Sequence, residues 1–119
     1  YLTNAVKHFK FAEVVDDSGW WFRQHHRADA REQEACRPWL AAELATLNPA
    51  VVVCLGATAA RAVLGPLFRF ADRRGEAVPL AGGATAVATY HPAAALRGPD
   101  PERVRADLTA HLRRAAALV

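Results

Sequence analysis

The run Val51-Val52-Val53-Cys54-Leu55, closed by Gly56, constrains the fold more than any other stretch. Consecutive apolar, largely β-branched residues without polar alternation suit a strand buried on both faces, the environment of a parallel sheet. Parallel neighbours need a long crossover, and a short helix over about Thr58–Leu64, stopped by Gly65-Pro66, begins one. Ala84–Tyr90 is a second apolar run, ending abruptly at His91-Pro92, and Tyr1–Val6 reads as a third, interrupted by Asn4. A helix is predicted from about Asp29 to Leu47, with Leu40, Leu44 and Leu47 on one face and Pro38 kinking or splitting it. Leu67–Leu80 reads as an irregular hairpin around Asp72-Arg73-Arg74-Gly75. Asp100-Pro101-Glu102 is a strong helix start: a capping carboxylate, proline at the first helical position and an acid in the first turn. Val104, Leu108 and Leu112 are expected on that helix's buried side. Alternating strands and helices predict an α/β fold, a three-layer α/β/α sandwich around a short parallel sheet. Ligands in such folds bind outside the carboxyl ends of the strands, where Asn4, Gly56 and His91 fall.

The 119 residues make one domain. The chain begins at Tyr1, contains no Met, and enters at once on an apparent strand, so it is expected to be part of a longer protein. No apolar stretch approaches the roughly 18 residues of a membrane span, and no signal peptide is visible. Cys36 and Cys54 do not make a disulfide framework, so a reducing cytoplasm is the default compartment. The net charge of +3 comes from cations that are almost entirely arginine. Arginine's planar fork suits phosphate, yet so mild a charge permits a nucleic-acid partner without demanding one.

Residues 7–28 read as a long irregular stretch. Lys7-His8-Phe9-Lys10-Phe11 alternates basic or imidazole groups with rings, and Asp16-Asp17-Ser18-Gly19 precedes Trp20-Trp21-Phe22 and Arg23-Gln24-His25-His26-Arg27. Loops of this length in a compact domain are usually functional or disordered, and adjacent large aromatics argue against a solvating tail. Trp20, Trp21 and Phe22 either stack on bases or form the loop's own core.

Four segments carry a resemblance: YLTNAVKHFKF, EACRPWLAAELATLNPAVVVCLGATAARAVLG, RRGEAVPL and VATYHPAAALRGP. In this order they resemble the uracil-DNA glycosylase superfamily, nearest to its UdgX-like branch, which is related to the family-four iron–sulfur enzymes. Such proteins also have an amino-terminal part with a C-x-x-C pair and an active-site loop, so the chain resembles their carboxyl-terminal two-thirds.

The resemblance implies a role for each matching residue. Asn4 falls on the uracil-reading asparagine, whose carboxamide complements a pyrimidine O4 and N3–H and rejects cytosine, which reverses that pattern. His91 falls on the histidine that stabilises negative charge on the departing base. Ala93 stands where the usual His-Pro-Ser motif has its serine, removing a hydroxyl contact. Arg97 and Arg23 match arginines expected at phosphate or the groove. His8 and Cys36 match two ligands of a four-iron, four-sulfur cluster, thiolates with one imidazole being reasonable iron ligands; Cys54 is expected only to pack. His25, ten residues before Ala35 without a gap, falls on the loop histidine that attacks the sugar, and a one-residue slip would promote His26.

Uracil would then be flipped out of DNA, with the C1′ centre captured by His25, giving a covalent DNA–protein crosslink, or by water, giving an ordinary iron–sulfur glycosylase that leaves an abasic site. A non-catalytic DNA-binding relative is the third reading. A monomer that binds uracil-containing DNA and no membrane is expected.

Overall fold

The computed structural model describes residues 1–8 and 10–119, and in it the chain forms two units, Tyr1–Ala42 and Glu43–Val119. In the first, the stretch expected to be an irregular loop is instead a β-hairpin. Strand β1 (Phe11–Val15) pairs antiparallel with β2 (Trp21–His25). The ring and β-branched residues of FAEVV and WFRQH favour extended backbone. Asp16 and Gly19 make the turn: the Asp16 carboxylate accepts from the Ser18 hydroxyl at 2.6 Å and from the Trp20 N–H at 2.9 Å, and Gly19 supplies a φ of +83°. These bonds, the Ser18 hydroxyl foremost, hold the Asp16 carboxyl below its usual range. Of the ring-bearing stretch from Lys7 to Phe11, Phe9 lies outside the described residues.

Tyr1–Val6 forms no strand, contrary to the sequence reading. A strand needs a ladder neighbour, and among the described residues the segment has none; Lys7 Nζ instead donates to the Asn4 carbonyl at 2.5 Å and to Thr3 Oγ1 at 2.8 Å. Helix α1 (Ala30–Leu47) begins with a reciprocal cap. Glu32 N–H donates to the Asp29 carboxylate at 2.9 Å, and Asp29 N–H donates to the Glu32 carboxylate at 2.8 Å. Pro38 does not split it: the helix runs through without a break. Leu40 is buried, whereas Leu47 on the same stripe is exposed.

In the second unit β3 (Val51–Leu55) forms with the predicted bounds, followed by α2 (Ala57–Leu64). The region expected to fold back as a hairpin holds a short helix, α3 (Phe70–Arg73), and then β4 (Ala77–Pro79). Strand β4 pairs antiparallel with β5 (Thr85–Thr89), and β5 pairs parallel with β3, so the sheet order is β3-β5-β4. The sheet is therefore mixed rather than purely parallel. The link from β4 to β5 is a tight reversal with positive φ at Gly82 and Gly83 and Leu80 N–H bonded to the Ala84 carbonyl at 2.8 Å, and a link so short can join only antiparallel neighbours.

Alternation along β5 gives the layers. Cys54 and Ala88 face the cluster of Ala60, Phe68 and Val63, which is the α2 side. Thr89, one residue on, faces the other way and bonds to His111 of α5 (Pro101–Ala117). The unit is an α/β fold with α2 and α5 covering opposite faces of central β5, whose residues Ala86–Thr89 are all fully buried. Strand β3 has a neighbour on one side only among the described residues, so it is half-buried rather than buried on both faces. Helix α5 starts as predicted, with Asp100 accepting from Arg103 N–H at 3.2 Å. Its inward stripe is Val104, Leu108, His111 and Ala115, while Leu112, expected inside, is 42% exposed. Among the described residues no helix is long and apolar enough to cross a membrane.

Candidate functional site

The carboxyl ends of the parallel pair β3 and β5 lead into Gly56 and His91. Gly56 N–H donates to the Thr89 carbonyl at 2.8 Å, tying the two ends together. Gly56 has a φ of +93°, and a Cβ there would lie 3.3 Å from the His91 Cβ, so glycine lets the histidine backbone come close. Beyond Pro92 the chain turns into the short helix α4 (Ala94–Arg97), with Ala94 N–H bonded to the His91 carbonyl at 2.9 Å.

The His91 ring is fixed by its own turn. Ala93 N–H donates to Nδ1 at 3.1 Å, so the neutral ring must carry its proton on Nε2. An exposed imidazole with one nitrogen engaged by backbone presents a single N–H donor outward, suited to an oxyanion forming on a ligand. Ala93, which lacks the serine hydroxyl, thus still holds the ring through its backbone. Arg97 stands one turn further on, its N–H bonded to the Ala93 carbonyl at 3.0 Å and its side chain exposed.

Behind this end of β5 lies a group of residues that sequence reading missed. Thr89 Oγ1 and His111 Nδ1 are 2.8 Å apart. Gly75 N–H donates to the Ala88 carbonyl at 2.8 Å, and Arg114 donates to the Gly75 carbonyl at 2.6 Å. A Cβ on Gly75 would fall 2.4 Å from the His111 ring. Arg74 stacks over the Tyr90 ring at 4.3 Å, immediately before His91. Burial lowers the His111 pKa, with Arg114 and Arg74 acting in the same direction and Asp107 opposing. The signal for the group was the RRGE stretch, whose glycine marks a close approach of backbone to another side chain.

The other sequence-predicted residues lie in the first unit. Arg23 and His25 fall on one face of β2, with Phe11 opposite His25 and Glu13 opposite Arg23. The Arg23 guanidinium lies 4.7 Å from the Phe11 ring centre and 5.9 Å from that of Trp21. His26 follows β2, its N–H bonded to the Lys10 carbonyl at 2.8 Å. Lys10 in turn reaches Glu32 at 2.9 Å and Asp29 at 3.8 Å; that pairing raises its pKa and lowers that of Glu32. Asn4 is exposed and stands in the non-strand segment, not at a strand's end. Cys36 is buried on α1 and accepts an N–H bond from Lys7 at 3.4 Å, with exposed His8 the next residue along. Cys54 is a core residue whose thiol burial pushes its pKa up to about 12, in keeping with packing alone.

A family model described as the uracil DNA glycosylase superfamily matches residues 1–113. No curated protein matches the chain.

Proposed function

Since the chain belongs to the uracil-DNA glycosylase superfamily, whose members act on DNA, we propose that it excises uracil and captures the deoxyribose on His25, as the UdgX-like branch does. The observation that carries the excision step is the exposed His91 ring, its Nδ1 held by the Ala93 N–H, just beyond the carboxyl end of β5. As the bond from C1′ to N1 breaks, its electron pair passes to the base and charge gathers on O2 and N1. A donor already aimed outward stabilises that charge more than the neutral ground state. Asn4 would read O4 and N3–H through its carboxamide, and Arg97 would take a phosphate.

Capture of C1′ by His25 needs a ring nitrogen with a free electron pair: the new N–C1′ bond forms as the ring's other nitrogen gives up its proton to solvent. A neutral imidazole is an established nucleophile for covalent capture. Arg23, on the same strand face, would hold the adjoining phosphate. The competing reading, hydrolysis by water, is supported by Trp21 and Phe22 standing where the branch carries basic residues.

Cys36 and His8 would supply two ligands of a four-iron, four-sulfur cluster. Cys36 suits this role: the thiol is buried, and a backbone N–H already points at its sulfur, the kind of hydrogen bond that tunes cluster sulfurs. When bound, the cluster would cross-link the segment bearing His8 to α1. The purified protein should be brown, Cys36→Ala should bleach it, and Cys54→Ala should leave the colour intact. Equal colour in wild type and Cys36→Ala would remove Cys36 from the ligand set.

The activity is tested with a uracil-containing oligonucleotide and denaturing electrophoresis. Wild type should give a shifted band that survives heat and detergent; His25→Ala should lose the band yet still leave an alkali-labile site, because water can reach the same centre. Loss of the band in His26→Ala alone would move the nucleophile by one residue. Alkali cleavage without any shifted band in wild type would establish hydrolysis, and neither signal would leave a non-catalytic DNA-binding relative.

A further inference from the structure

We propose that the outer face of the β1–β2 hairpin is a stacking surface for unpaired DNA bases, an inference that rests on DNA being the substrate. Side chains alternate across a hairpin, and directly opposed residues share a face. The register therefore puts Phe11, Glu13, Val15, Trp21, Arg23 and His25 on one side. Trp21 is 50% exposed and Phe11 39%. An indole as open to water as that of Trp21 is costly unless something covers it.

The chemistry of the face chooses the occupant. An aliphatic protein surface would cover the rings but would desolvate Arg23 without pairing it. Glu13 stands opposite Arg23 in register, yet among the described residues no carboxylate lies within ion-pair distance of its guanidinium, which rests over the two rings instead. Phosphate fits such a planar fork. Nucleic acid brings both halves of the match, a π-face for Trp21 and an anion for Arg23. At the open end of the hairpin, Arg27 adds a cation. Bases in a duplex are already stacked on one another, so the ligand is single-stranded.

The test uses the whole chain and a uracil-free thymidine oligonucleotide, single-stranded or annealed to its complement. No uracil reading or cleavage is involved, so failure of excision and failure of this surface are separate results. Single strand should bind more tightly than duplex. Trp21→Leu, which keeps an apolar side chain but removes the ring, should weaken single-strand binding by about tenfold, and Trp21→Phe should retain most of it. Trp39→Ala, on the exposed side of α1, should bind as wild type does. Arg23→Gln should flatten the salt dependence by about one unit of slope. Binding of Trp21→Leu within twofold of wild type, or equal affinity for duplex, overturns the proposal. So does a concentration-dependent dimer that buries the face in place of DNA. Should Trp21→Leu not fold, the oligonucleotide must still slow hydrogen exchange of the Phe11–His25 amides in the wild-type protein, and unchanged exchange overturns the proposal equally.

Discussion

His91 depends on a neighbour with no side chain. At Gly56 an added methyl would meet the His91 Cβ at 3.3 Å, on backbone already at a φ of +93°. Gly56→Ala should therefore displace the imidazole by a fraction of an ångström and cut uracil excision on the order of tenfold, measured as single-turnover rate, while the circular dichroism spectrum stays native. Gly75 is tighter: its Cβ would sit 2.4 Å from the His111 ring, at a φ of +77°. Gly75→Ala should lose about 2 kcal/mol of stability in urea unfolding, as overpacked sites do. His111 also makes stability depend on pH. Burial lowers its folded pKa below the unfolded value, so between those two values the unfolded chain holds more protons. Stability is then fully present above about pH 6.5, the unfolded value, and is lost as pH falls through the folded pKa. Urea midpoints taken from pH 7.5 to pH 5 should decline in wild type and decline less in His111→Gln. The place of His91 beyond a strand's end and of Cys54 in the core is legible in the sequence because strand ends and unbroken apolar runs are local. His111 was not, because apolar periodicity favours Leu112 and the glycine that seats the imidazole is far away in the chain.

At the scale of elements, legibility followed the range of the interactions that form each one. Strand β3, helix α2 and the start of α5 carry their own signals, and their observed bounds agree with the reading to within a residue. Asp100 illustrates the local kind: its side chain caps α5 by accepting from Arg103 N–H at 3.2 Å. Asp100→Ala should destabilise the unit by about 1 kcal/mol and Asp100→Asn by much less, read from thermal or urea midpoints. The misreadings were pairing decisions. Tyr1–Val6 has strand composition but no ladder partner among the described residues. Phe11–His25 reads as irregular from composition, yet Asp16-Asp17-Ser18-Gly19 is the turn that pairs β1 with β2. Strand β4 was assigned the wrong partner, since the reversal lies at Gly82-Gly83 rather than at Arg74-Gly75. Composition can say that a segment is extended; only long-range hydrogen bonding decides against what.

At the scale of the whole molecule, the two units differ in how much they bury. Among the described residues of the first, only Cys36 and Leu40 are buried, and every residue of β2 is exposed. The second has a core through Cys54, Ala60, Phe68 and the fully buried run Ala86–Thr89. Local opening costs least where few apolar groups leave water and backbone hydrogen bonds face solvent, so amides of β1 and β2 should exchange with deuterium far faster than those of β5 and α5. The hairpin should exchange through local fluctuations that respond weakly to urea, whereas β5 amides should exchange only through an opening whose urea dependence matches that of overall unfolding. A bound cluster held by Cys36 and His8 would alter one side of this contrast. By cross-linking residue 8 to α1 it should slow exchange around Lys7 and along the amino-terminal half of α1, leaving β5 unchanged, because binding stabilises the state that forms the site. Cys36→Ala should remove that slowing without touching β5 protection. Uniform exchange across hairpin and sheet, with a single urea dependence, would make the chain one cooperative unit, and the outer face of the hairpin would then be as rigid as the sheet that carries His91.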